Sequence, residues 1–230
     1  MRILVLTPEY LPDSGGGVIT FYRELLPRLA ALGHDVRVVC GSAVSAATSR
    51  DPRVIDGVLV ERLELARLRC HQRRFAHLGA MPGLQAHLAA AWALWEQAGE
   101  GGGADVVEAC DWGLSFLPPV IEGAIPTVVQ AHGSVGQIDA HDPIAGEEGQ
   151  GILTRLIEIE ALKRATAVQT LSNANAEFWR RQTGRHVCDI APAWRIAGTP
   201  EAVLSPRGLV LGRVQRWKGA HTLCEALQLL

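Results

Sequence analysis

Apolar positions along this chain follow two alternating rhythms. Residues 3–6, Ile-Leu-Val-Leu, are an unbroken apolar run, which predicts a strand over 2–6 buried on both faces. A loop rich in Pro and Gly follows (8–17), and then Phe21, Leu25, Leu29 and Leu32 recur at helical spacing until Gly33 stops the pattern. Residues 35–39, DVRVV, predict the next strand. The alternation then repeats. Strands are predicted at 58–63, 106–107, 127–130, 167–171 and 187–191, and helices at 84–98, 113–121, 152–164 and 173–182. Strands separated by helices throughout predict an α/β, doubly wound parallel sheet covered on both faces, with right-handed crossovers.

The rhythm breaks at 191–207, where Pro192, Pro200 and Pro206 interrupt any periodicity, so this segment reads as an interdomain linker. Beyond it lie a strand at 208–211 and a helix at 219–230, with Leu223, Ala226, Leu227 and Leu230 on one face. One strand and one helix cannot bury a core alone. The expected organisation is therefore a first Rossmann-like domain over 1–190, a linker over 191–207, and the first strand–helix unit of an incomplete second domain over 208–230.

Composition narrows the function classes. A formal net charge of −2 gives no bulk attraction for nucleic acid, so an anion site must be local. The five cysteines are scattered without a CxxC pair, which points away from a disulfide framework or zinc site and toward a reducing compartment. The initial apolar run is too short for a signal peptide, and 84–95 is too short and too polar for a span. A cytoplasmic protein is expected. One local charge run stands out: Arg62, Arg67, Arg69, Arg73 and Arg74, opposed in sequence by Glu64. It reads either as a solvated face or as a basic face for an anionic acceptor or the inner membrane surface. Trp92 with Trp95, and Phe178 with Trp179, read as core.

Three segments carry candidate chemistry. Gly15, Gly16 and Gly17 lead into a helix, where backbone can approach an anion closely, although a flexible loop without ligand has the same composition. The glycines come too late after the strand for a dinucleotide fingerprint, and no acidic ribose partner stands at the right spacing, which disfavours a nicotinamide oxidoreductase. His132, in AHGS (131–134), follows the strand TVVQ and so stands where open α/β sheets bind ligands. The segment GRVQRWKG (212–219) places Arg213 and Lys218 in a strand-to-helix turn, a diphosphate cradle in which Arg216 is a further cation. Asp139-Ala140-His141-Asp142 is the nearest thing to a metal motif and reads as a solvated loop, so no metal is expected.

Together the segments RILVLTPEYLPDSGGGVITFYRELLPRLAALGHDVRVVC, PTVVQAHGS, AVQTLSNANAEFW and GLVLGRVQRWKGAHTLCEAL resemble the GT-B glycosyltransferases of family 4, with residues 40–100 matching in outline only. The resemblance implies a retaining transfer of sugar from a nucleotide-diphosphate sugar to a hydroxyl on a glycan or lipid-linked glycan. The nucleotide sugar would be a substrate, with no cofactor. It assigns Gly15, Gly16 and Gly17 to donor diphosphate and acceptor, His132 to the transferred sugar, and Arg213 and Lys218 to the diphosphate. It puts Asp111 and Trp112 on an acceptor-facing loop. The family's downstream glutamates, spaced E-x7-E, have no counterpart in this sequence, so the chain by itself is expected to have little or no activity. The alternative is a non-catalytic binding module built on the same first domain.

Overall fold

The computed structural model describes residues 1–13, 15–142, 148–192 and 218–229. Its strands are β1 (Arg2–Thr7), β2 (Asp35–Cys40), β3 (Arg53–Ile55), β4 (Val58–Arg62), β5 (Val106–Cys110), β6 (Thr127–Ala131), β7 (Ala167–Thr170) and β8 (Cys188–Asp189). Its helices are α1 (Gly17–Ala31), α2 (Leu65–Arg74), α3 (Pro82–Gln97), α4 (Leu117–Glu122), α5 (Val135–His141), α6 (Glu148–Leu162), α7 (Asn173–Thr183) and α8 (Ala220–Leu227). The strands form one sheet in the order β3-β4-β2-β1-β5-β6-β7-β8, parallel except for the β3–β4 pair.

The apolar strands divide their side chains between two cores by simple alternation. Ile3 and Val5 of β1 join Val36 and Val38 of β2 beneath Tyr22 and Leu26 of α1. Leu4 and Leu6 face the opposite way, with Val107, Val129 and Val168, toward α3, α4, α6 and α7. The chain moves from β1 to β2 in one direction along the sheet and later from β5 to β8 in the other. The order therefore reverses beside β1, and the β1–β5 boundary is the switch point at whose carboxyl end such sheets hold ligands.

The structure revises the sequence reading in several places. The helical face of α1 is centred on Ile19, Tyr22 and Leu26, which are buried, while Leu32 is 75% exposed. Residues 65–74 form α2. Its arginines hid the pattern, because only Leu68 and His71 are buried on it. Residues 135–141 form α5 rather than a loop, capped by Ser134, whose hydroxyl accepts the Gln137 N–H at 3.0 Å. The helix expected at 113–121 resolves into a short 3-10 turn, Trp112–Leu114, and α4. The short strand β3 went unread. Residues 193–217, which hold most of the expected linker, the strand 208–211, Arg213 and Arg216, lie outside the described residues. The side chains of α8 are exposed or half-buried.

Candidate active site

The carboxyl ends of β1, β5 and β6 converge beside the first turns of α1. β6 ends at Ala131, so His132 is the first residue of the loop leading to α5. β5 ends one strand over, and its next residue is Asp111, which is completely buried. The Asp111 carboxylate takes the backbone of the His132 loop in a two-point grip. The His132 N–H donates to Oδ1 at 3.0 Å and the Gly133 N–H to Oδ2 at 3.1 Å. Gly133 has φ 140°, a conformation that β-carbon-bearing residues avoid, so glycine lets the chain turn through this grip. The Asp111 N–H donates in turn to the Gln130 carbonyl at 3.1 Å.

The imidazole packs edge-on against two rings of α1. Phe21 lies 5.0 Å from it and Tyr22 5.7 Å, centroid to centroid. These contacts join the histidine loop to the glycine-led helix. The His132 Nε2 is buried without a hydrogen-bond partner. Burial depresses its pKa to about 4, so the ring is neutral at physiological pH. Burial acts oppositely on Asp111, raising it to about 6 against the pull of its amide donors.

Other polar atoms share this face of the sheet. Glu108 of β5, Gln130 of β6 and Tyr22 of α1 each carry a buried atom without a good hydrogen bond: Oε1, Nε2 and the hydroxyl. Burial pushes Glu108 up to about 7 and Tyr22 well above its ordinary value. Nothing in the motif reading pointed to them. The available signal was a charged residue inside the otherwise buried strand VVEAC.

The glycines differ from one another. A β-carbon on Gly15 would come within 2.3 Å of Ile19 Cδ1 and 2.8 Å of a Glu9 carboxylate oxygen, so the loop is held against the chain leaving β1. Gly16 is the N-cap of α1, with no side-chain cap and no acidic residue in the first turn. A β-carbon on Gly17 would meet nothing within 4 Å. Among the described residues the helix thus has no side-chain N-cap, and a β-carbon at Gly17 would point into open space, a setting that favours an anion.

Trp112, 37% exposed, stands at the rim just after Asp111, ahead of a turn in which Gly113 has φ 78° and Leu114 φ 62°. Lys218 is exposed and precedes Gly219, which caps α8 in the left-handed conformation. The structure therefore ties His132 to Asp111 through its loop and to Phe21 and Tyr22 of α1, the helix that begins at Gly17, and Trp112 follows Asp111 in the chain.

The arginine run has more opposition than its sequence showed. Arg62 pairs with Asp13 at 3.0 Å, and Arg67 with Glu64 at 3.2 Å and also with Glu96. Arg74 stacks over Trp92 at 5.1 Å. Arg69 and Arg73 are exposed on α2. Asp139 and His141 lie on α5, where the Asp139 carboxylate occupies the space that a β-carbon on Gly151 would need.

The model of the glycosyl transferase 4-like domain matches residues 16–195, a span that contains Gly16, Gly17, Asp111 and His132. The chain belongs to the glycosyl transferase 4-like domain family. No curated protein sequence matches this family member. Among solved structures, sucrose-phosphate synthase from Thermosynechococcus elongatus is similar at 16% identity, over 82% of this chain and 47% of that one, with a TM-score of 0.54. The catalytic domain of starch synthase IV from Arabidopsis thaliana is similar at 12% identity, over 83% of this chain and 51% of that one, with a TM-score of 0.47. The glycosyltransferase SnogD from Streptomyces nogalater is similar at 15% identity, over 91% of this chain and 56% of that one, with a TM-score of 0.45. The first of these shows a shared fold. This glycosyl transferase 4-like domain has the Rossmann-like architecture of a GT-B half, and the chain spans about half the length of those structures.

Proposed function

We propose that this domain forms the acceptor-side half of a retaining glycosyltransferase, which moves a sugar from a nucleotide-diphosphate sugar to a hydroxyl on a glycan or lipid-linked glycan. One observation carries the reading: the His132 imidazole, its Nε2 without a hydrogen-bond partner, packs against Phe21 of the helix that begins at Gly17. Activity is assigned to the protein in which this domain meets a second, donor-binding half beginning after the 191–207 linker.

Sugar departure builds positive charge on the anomeric carbon and negative charge on the leaving diphosphate. The amides at Gly15, Gly16 and Gly17, with Arg213 and Lys218, would stabilise that diphosphate without a metal. His132 Nε2 would hydrogen-bond the transferred sugar. A desolvated neutral ring orients it without adding charge, and the acceptor proton passes to the leaving phosphate on the same face. Asp111 would act through the loop by fixing the imidazole, and Trp112 would offer its ring face to the acceptor. Arg69 and Arg73, with Ile152 and Leu156 exposed on α6, would suit a lipid-linked acceptor at the inner membrane surface.

The test is His132→Ala in the two-domain enzyme. Turnover should fall by about a hundredfold or more, while nucleotide affinity stays within about threefold, as expected for a contact made to the reacting sugar. Turnover near wild type would remove the assignment.

A further inference from the structure

Asp111 secures only one end of the segment that carries the imidazole. The far end is held from a different helix. Glu158 of α6 is fully buried and lies on the stripe that also contains Thr154, Ala161 and Leu162. Its Oε2 accepts the Ser134 hydroxyl at 2.6 Å, and its Oε1 accepts the Gly136 N–H at 3.1 Å. The approach is close enough that a β-carbon on Gly136 would fall 2.7 Å from both Arg155 Cα and Glu158 Oε2. A third support comes from α7. Asn175 Nδ2 donates to the Ala131 carbonyl at 3.3 Å, and its Oδ1 accepts from Gln137 Nε2 at 2.9 Å.

We infer that Glu158 is a positioning residue for the imidazole: by binding Ser134 and Gly136 it sets the exit of the loop whose start is set by Asp111. The transferase role of that imidazole rests on the proposed function above, but the placement of the loop does not. An apolar side chain would fill the Glu158 stripe without taking a carboxylate out of water, and no ion pair joins Glu158 to a cation among the described residues. What the carboxylate supplies is a pair of acceptors aimed at two donors of one loop. Its benefit is loop geometry, and the side chain that this loop sets against Phe21 and Tyr22 is His132. Errors of about 1 Å in such a group reduce turnover by up to about a hundredfold.

The test follows the His132 ring by long-range 1H–15N correlation in the 230-residue chain. Ser134→Ala and Glu158→Leu should shift or broaden the His132 signals. Glu158→Gln should keep them near wild type, because its amide oxygen still accepts the Gly136 N–H. A folded Glu158→Leu chain with wild-type His132 signals would overturn the inference. Should that variant fail to fold, Ser134→Ala decides, since unchanged His132 signals there overturn it equally. In the two-domain enzyme, Ser134→Ala should lower kcat about tenfold with the donor KM within about threefold, the split expected of misplacement rather than lost binding. Full activity of His132→Ala would defeat the transferase reading and leave the ring-signal result to judge Glu158 independently.

Discussion

The two ends of the sheet handle polar groups differently. At the amino end, charges stand at or near the surface and find a counter-ion or free carbonyls. Arg2 pairs with Asp105 at 3.0 Å, with side chains 60% and 42% exposed, and Arg185 donates to the Leu162 and Lys163 carbonyls at 3.2 and 2.7 Å where α6 ends. At the carboxyl end, Asp111 and Glu158 are fully buried, satisfied by backbone amides and one hydroxyl, and the His132 Nε2 is buried without a hydrogen-bond partner. Pairing exposed charges is cheap and contributes little. Burying carboxylates to aim amides is expensive and fixes geometry. The second strategy is found at the end of the sheet where the proposed site lies.

That contrast is most sharply tested at Asp111. Replacing it with Ala strands two buried N–H groups, and unfolding by denaturant should show a loss of about 3 kcal/mol. A loss as small as that of a surface substitution would mean the grip on the His132 loop is not formed.

The pH dependence of stability gives the next largest effect. Burial raises Glu158 to about 7 and Asp111 to about 6, above the values both have when unfolded. A carboxylate raised in the folded state makes the unfolded chain release its proton first, so stability falls as pH rises between the two values. For Glu158 that window runs from 4.5 to about 7. His132, depressed to about 4 from 6.5, acts in the opposite direction and loses stability as pH falls through that range. Glu158→Gln removes one carboxylate and leaves the other groups that face it, Asp111 and Arg155. Across the window it should gain on the wild type by on the order of 3 kcal/mol. Parallel pH–stability curves would contradict this.

The glycines sharpen the comparison within the carboxyl end. Gly15→Ala must displace Ile19 and Glu9 and should destabilise by about 1 kcal/mol. Gly17→Ala meets nothing and should leave stability unchanged within about 0.5 kcal/mol, yet it should weaken donor binding if the diphosphate docks there. Calorimetric titration of the two-domain enzyme with nucleoside diphosphate separates the two. The smallest effect belongs to the other end of the sheet: Arg2→Ala should leave the melting temperature essentially unmoved.

Much of the architecture was readable in the sequence because the strands are nearly all apolar. ILVL, VVEAC and TVVQ can only be buried runs, and they gave the parallel sheet. What escaped were elements whose burial is slight or whose partners are distant. The arginines of α2 masked a helix that buries only Leu68 and His71, and α5 depends on a cap from Ser134 and on the room left by Gly136 and Gly151. His132 was legible by position, as a polar residue just past a buried strand. Asp111 was legible as a residue but not as a grip, because its hydrogen bonds cross to another strand. Glu158 left one faint signal, an acid on the apolar stripe of α6. Its partners lie 22 and 24 residues away in sequence, a distance that periodicity cannot bridge.

In the proposed site, helix α1 and the imidazole face the same ligand. A crystal structure of the two-domain enzyme with a non-transferable nucleotide sugar tests it most directly. The sugar should lie within hydrogen-bonding distance of His132 Nε2, with the diphosphate against the amides at Gly15, Gly16 and Gly17. A donor bound with its sugar turned away from His132, or with its diphosphate remote from the start of α1, would contradict it.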